Sequence, residues 1–169
     1  MWTSPLGFDD TFALVVRPDA GVRRISDAVG PARTWRAGFG YEFAQRPDGL
    51  PALVRVYGLA FADVRTMDLG LLYRALDERQ VDVVAGNATD GLIAARGLVA
   101  LVDDRRAFPP YEAVPVVRAD ALARWPGLRA ALDGLAGRID AETMRRMNLA
   151  VDGEHRAPAD VVRAWRSGH

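Results

Sequence analysis

The strongest constraint on how this chain can fold is a rhythm. Over its first two-thirds, short β-branched apolar runs alternate with helix-length amphipathic segments. "TFALVVRP" (residues 11–18) reads as a strand closed by proline, and "ISDAVG" (25–30) as a short helix ended by Gly30. "TWRAGFGYEF" (34–43) reads as a second strand running to a dense turn signal, "RPDG" (46–49). "LPALVRVYG" (50–58) then fits a helix with Pro51 in its first turn and Gly58 just past its end. "FADVRTM" (61–67) is a third strand, and "DLGLLYRALDERQ" (68–80) a helix with Asp68 at its N-cap. "VDVVAGN" (81–87), "TDGLIAARG" (89–97) and "LVALVDD" (98–104) continue as strand, helix and strand. Strands separated by helices imply a mostly parallel sheet with helices on both faces, an α/β fold.

"FPPYEAVPVV" (108–117) breaks the rhythm with three prolines. Beyond it the chain reads helical in three segments, 119–137, 140–153 and 158–166. The expected organisation is an α/β lobe over residues 8–108, a crossover or hinge at 109–117, and a helical tail at 118–169.

Composition excludes several classes of function. The 22 basic residues, all arginine, balance 22 acidic ones, and the two signs are interspersed. No basic stripe exists for a nucleic-acid backbone or an anionic membrane. No cysteine is present, so thiolate metal sites, disulfides and cysteine nucleophiles are excluded. The two histidines are His155, in a polar loop, and the terminal His169. No P-loop, G-x-S-x-G, H-E-x-x-H or G-x-G-x-x-G pattern occurs. An enzyme, a metal site or a bound cofactor is therefore not expected. The N-terminus shows no signal peptide, and no apolar run reaches the length of a membrane span.

What stands out is the strand ending "VDVVAGNATDG". Asn87, Thr89 and Asp90 crowd the carboxyl end of a core strand just before a helix, where ligands of parallel α/β sheets lie. Helix capping by Thr89 or Asp90 accounts for one of these side chains, not for three. Arg46 in the "RPDG" turn either pairs with Asp48 or, aimed into a cleft, holds a carboxylate with its planar fork. Phe12 and Tyr111 are aromatics beside the two segments where the chain enters and leaves the lobe, with packing as the simpler role of each. Neighbouring acids such as Asp9 and Asp10 face opposite ways on extended chain, so they do not form an acid–base pair.

Together, "PLGFDDTFALVVR", "EFAQRPDGLPALVRVYGL", "TMDLGLLYRALDERQVDVVAGNATDGLIAA" and "LVDDRRAFPPYEAVPVVR" resemble the substrate-binding proteins of osmoprotectant ABC importers, which bind glycine betaine, choline and related quaternary amines. The resemblance implies a periplasmic-binding-protein-like (type II) lobe and clamp-type capture of a small zwitterion or quaternary amine without catalysis. It also implies an importer permease as partner and an extracytoplasmic location. In the family a first lobe precedes "PLGF", so this chain corresponds to the second lobe and the tail that returns to the first. That leaves an apolar tail surface, with Trp125 and Val162 among its residues, free to self-associate or to fold back. Carried over by motif, Arg46 grips the ligand carboxylate while Phe12 and Tyr111 supply cage aromatics. Asn87 stands where the family has a third aromatic, and Asp9 replaces an asparagine. Those departures, with Glu112 beside Tyr111, point to a more polar or differently shaped cation. The alternative is a cytoplasmic sensor domain of a regulator with the same two-lobe plan; no helix-turn-helix accompanies it here.

Overall fold

The computed structural model describes residues 1–168; His169 lies outside the described residues. Five strands form one sheet: β1 (Phe12–Val16), β2 (Arg36–Phe39), β3 (Asp63–Thr66), β4 (Val83–Asn87) and β5 (Val99–Ala100). Their spatial order is β3-β2-β4-β1-β5. β2 pairs in parallel with β3 and β4, whereas β1 runs antiparallel to both β4 and β5. Four strands therefore share one direction and β1 opposes them. β1 starts at the same end of the sheet at which β4 stops.

Period-two alternation along β1 and β4 divides the core between the two faces. Leu14, Val16, Val83 and Ala85 join Phe39, Ile25, Leu53, Tyr57 and Phe108 on one side. Ala13, Val15 and Val84 meet Leu72, Tyr73, Leu76 and Ile93 on the other. Each of these large side chains, withdrawn fully from water, contributes about 1.5–3 kcal/mol. The edge strand β3 is exposed along its whole length.

The helices of the lobe are α1 (Ile25–Ala28), α2 (Tyr41–Gln45), α3 (Leu50–Tyr57), α4 (Leu69–Asp77) and α5 (Gly91–Ala95). α2 departs from the sequence expectation, which carried the second strand through Phe43. The chain turns at Gly40 and becomes helical, and Phe43 lands on Phe39 with ring centroids 5.0 Å apart. The turn at Gly40 swings Phe43 from α2 back onto Phe39 at the end of β2, so both rings reach one core. Gly49 joins α2 to α3, and a Cβ there would overlap the Phe43 carbonyl oxygen, so the tight "RPDG" corner needs glycine.

The tail forms α6 (Ala119–Arg124), α7 (Leu128–Asp133), α8 (Ala141–Asn148), a π-helical turn (Leu149–Gly153) and α9 (Pro158–Ser167). The expected long first helix is broken at Trp125, because Pro126 disfavours helical backbone in the residue before it. α8 and the π-helical turn pack on α5, and Gly91 allows this: a Cβ there would overlap the Leu149 backbone. Trp125 remains 62% exposed and Val162 48%. Among the described residues no helix is long and apolar enough to cross a membrane.

Residues 1–10 and 111–117 form an extended two-stranded ribbon at the mouth of the sheet. Leu6 donates to the Ala113 carbonyl at 2.9 Å, Val117 to the Met1 carbonyl at 2.9 Å, and Asp10 to the Tyr111 carbonyl at 3.1 Å.

Candidate functional site

Register builds the site. Pairing of β1 with β4 sets Phe12 directly opposite Asn87, on the face that also carries Leu14 and Ala85. Both side chains border two neighbouring clefts, of about 590 Å³ and 460 Å³, with Arg46 between them. The larger runs over Phe43, Leu72, Tyr73 and Asp90 towards a rim formed by Tyr41 and Leu69, which are 57% and 71% exposed. The smaller is walled by Asp10, Thr89, Tyr111 and Met144.

Phe12 lies at the centre of an aromatic group. Its ring meets Phe43 edge-on at 5.0 Å and Phe108 and Tyr111 at 5.8 Å each. The Arg46 guanidinium stands 5.2 Å from the Phe12 centroid and 5.9 Å from that of Tyr111.

Arg46 itself is closely held. Nε donates to Asp48 Oδ1 at 2.9 Å and Nη2 to Asp48 Oδ2 at 2.7 Å, a two-point ion pair. Nη2 also donates to the Tyr111 hydroxyl at 2.6 Å, and that hydroxyl donates to Asp48. Nη1 reaches Glu42 at 3.3 Å. The Arg46 fork and then the Tyr111 hydroxyl hold the Asp48 carboxyl well below the usual carboxylate range. The Asp48 carboxylate in turn raises the Tyr111 phenol, and pairing with Asp48 raises Arg46. Of the two roles open to Arg46 in the sequence, pairing with Asp48 and facing a cleft, the structure places both on one side chain.

The strand-end loop is equally specific. Capping does not explain its polar side chains. Asp90 occupies the N-cap of α5, yet its carboxylate makes no capping bond. Its Oδ2 accepts the Tyr73 hydroxyl at 2.6 Å and the Asn87 amide N–H at 2.9 Å. Burial, and then this bond, push the Tyr73 phenol upward. The buried Thr89 donates its hydroxyl to Asp10, and Asn87 Nδ2 points to the same carboxylate at 3.4 Å. From the tail, Arg145 donates to the Ala88 carbonyl at 2.7 Å and Asn148 to the Thr89 carbonyl at 3.0 Å. The loop is thus fixed on both sides.

The structure brings Phe12, Arg46, Asn87, Tyr111, Thr89 and Asp90 to these clefts. It turns Asp9 and Glu112 away from them. The Asp9 carboxylate accepts the Tyr111 N–H at 2.7 Å, and Asp9 bridges Glu112 backbone to backbone, leaving the Glu112 side chain exposed. Asp9 and Asp10 do face opposite ways, as extended chain requires. Asp10 and Tyr73 were missed by sequence reasoning. Alternation from Asp9 could have found Asp10; Tyr73 reaches the strand end from α4, and no local pattern signals that. Among the described residues no cluster of three metal-ligating side chains occurs.

Comparison with known proteins decides the family. Residues 1–168 match the OpuAC model, the substrate binding domain of ABC-type glycine betaine transport systems. The chain belongs to this family. A glycine-betaine-binding protein of Pseudomonas aeruginosa is 35% identical over 184 residues, covering 100% of this chain and 59% of that protein. The carnitine transport binding protein OpuCC of Listeria monocytogenes is 32% identical, covering 97% and 55%. A crystal structure of a glycine betaine/carnitine/choline ABC transporter superposes with a TM-score of 0.87 at 33% identity, over 100% of this chain and 64% of that one. The family's type II binding-protein fold is the fold of this chain. The chain spans little more than half the length of the curated relatives it matches.

Proposed function

We propose that this chain is the ligand-bearing lobe of a solute-binding component of an ABC importer, and that it captures a small quaternary amine or zwitterion without chemical conversion. The observation that carries the reading is the register pair Phe12–Asn87, which sets an aromatic face and a polar strand end on the same cleft beside Arg46 and Tyr111. A quaternary ammonium has no N–H to donate, so recognition rests on π faces and nearby negative charge, at about 2 kcal/mol for a desolvated aromatic contact.

The exposed rim residues Tyr41 and Leu69 fit coverage by a second lobe. Ligand touching both lobes favours the closed clamp by its differential contacts, and the closed form is the one an importer permease would receive. The ribbon of residues 1–10 and 111–117 is the connection towards that lobe, and the binding proteins of such importers work on the extracytoplasmic side. Lobe, crossover and tail at 8–108, 109–117 and 118–169 are the corresponding units.

Calorimetric titration with glycine betaine, choline, carnitine, proline betaine and ergothioneine tests the reading. Saturable binding of at least one compound is expected, weakened roughly tenfold in Phe12→Leu, which keeps bulk but removes the π face. Silence across the panel refutes it.

A further inference from the structure

The sheet ends in an open edge. β3 pairs with β2 on one side, no strand follows on the other, and residues 62–66 are all exposed. The edge is already held in shape. Ala62 donates to the Trp35 carbonyl at 2.9 Å and Met67 to that of Phe39 at 3.0 Å, so a strand added there meets a preformed template. Sheet edges are commonly guarded by proline, a bulge or a repelling charge. β3 has no proline, and its two charges are of opposite sign: Arg65 Nε donates to Asp63 Oδ2 at 2.7 Å. Asp63 and Arg65, two residues apart, share one face of the strand, and Val64 stands on the other.

We propose that β3 is a self-association edge: two copies of this chain pair their β3 strands antiparallel about a two-fold axis through Val64, joining two five-stranded sheets into one. Symmetry and charge choose the register. In an antiparallel pair related by a two-fold axis, one residue must face its own copy. An axis through Asp63 sets two carboxylates opposite each other, and one through Arg65 sets two guanidiniums, and like charges directly opposite destabilise a ladder. An axis through Ala62 or Thr66 sets neither charge against its opposite. An axis through Val64 sets Asp63 against the second copy's Arg65, Arg65 against its Asp63, and Val64 against Val64, so both charged pairs are attractive. The sequence of this edge is complementary to itself in that register alone. None of residues 62–66 lines either cleft, so association leaves the ligand site open and does not depend on the ligand reading.

An edge this short buries far less than the roughly 1,200 Å² of a stable interface, so the dimer is weak and calls for high concentration. Sedimentation equilibrium of the full chain from about 1 µM to about 1 mM tests it. Wild type is expected to dimerise reversibly. Asp63→Arg sets positive against positive and Arg65→Asp negative against negative, so each variant alone should dimerise at least roughly tenfold more weakly. Mixed in equal amounts the two should form a heterodimer, because every facing pair then carries opposite signs. The double variant, Asp63→Arg with Arg65→Asp, should return to the wild-type affinity. A monomeric wild type at the highest concentration overturns the inference, as does a mixture of the single variants that stays monomeric. A dimer that neither single variant weakens lies on another surface, such as the tail around Trp125, and overturns it equally. If a single variant fails to fold, Val64→Glu decides, since it sets two carboxylates against each other on the axis: a dimer it leaves undiminished overturns the inference.

Discussion

The two ends of β4 hold their carboxylates in opposite ways. At the amino end, Asp82 is enclosed by charge: Arg36 Nε and Nη2 donate to it at 3.0 and 3.1 Å, Arg17 at 3.2 Å and the Arg36 backbone at 2.9 Å. Arg17 is further tied to the Leu76 and Val81 carbonyls at 2.8 Å each. At the carboxyl end, Asp90 and Asp10 receive only neutral donors. One strand thus carries a saturated end that locks sheet to loop and an unsaturated end that faces a cleft. A charge neutralised inside the protein serves stability; one held by neutral groups stays available to a ligand.

Breaking the saturated end should have the largest effect. Asp82→Ala takes from the partly buried Arg17 the nearer of its two carboxylates, leaving Asp19 at 3.5 Å, and is expected to cost roughly 3 kcal/mol, read from the denaturant midpoint, with ligand affinity unchanged in the folded fraction. Acid should find the same lock. The Asp82 carboxyl is held down to about 2, from an ordinary 3.8, by Arg36 first and Arg17 after it. A depressed folded pKa contributes stability that is complete above the unfolded value and is lost as pH falls from about 4 towards 2. Thermal melts across that interval should fall more steeply in wild type than in Asp82→Ala, and parallel curves would assign acid sensitivity elsewhere.

Breaking the unsaturated end should invert the pattern. Asp90→Asn keeps an acceptor for the Tyr73 hydroxyl, so it is expected to change stability by only about 1 kcal/mol. Cation affinity should fall roughly tenfold, since one of the uncompensated charges is removed. Salt gives the smallest and sharpest contrast. Raising ionic strength to about 1 M shortens the screening length to about 3 Å and should weaken choline binding a few-fold, while the enclosed Asp82 lock barely responds.

The sheet and most of its helices were legible in the sequence because each carries a local signal. β-branched runs mark β1 and β4, proline and glycine bracket α3, and polar residues after "VDVVAG" mark the strand end. α2 was not legible, because "YEFAQ" between a strand and a turn has no helical repeat; packing of Phe43 on Phe39 decides it. The break at Trp125 was readable from Pro126 and was overridden by the apolar periodicity around it. In the site, Arg46, Phe12 and Asn87 carry motif or position, whereas the Asp10–Thr89 and Tyr73–Asp90 bonds join residues 79 and 17 apart. Whether Arg46 pairs with Asp48 depends on where Asp48 points, and only three-dimensional placement shows that pair formed beside the clefts.

The bonds from Arg145 to the Ala88 carbonyl and from Asn148 to the Thr89 carbonyl reach across 57 and 59 positions, and the terminal amine of Met1 reaches 116 positions to Val117. They impose an order of events on a chain made from one end. The sheet can assemble once β5 exists, but the strand-end loop gains its second support only after α8 has been synthesised and has docked. Long sequence separation makes such contacts late and slow to close. During synthesis the nascent lobe therefore passes through a stage with its core formed and its binding loop supported from one side only. A ligand that needs the finished loop cannot hasten the early steps of folding; it can only retain the chain that has completed them.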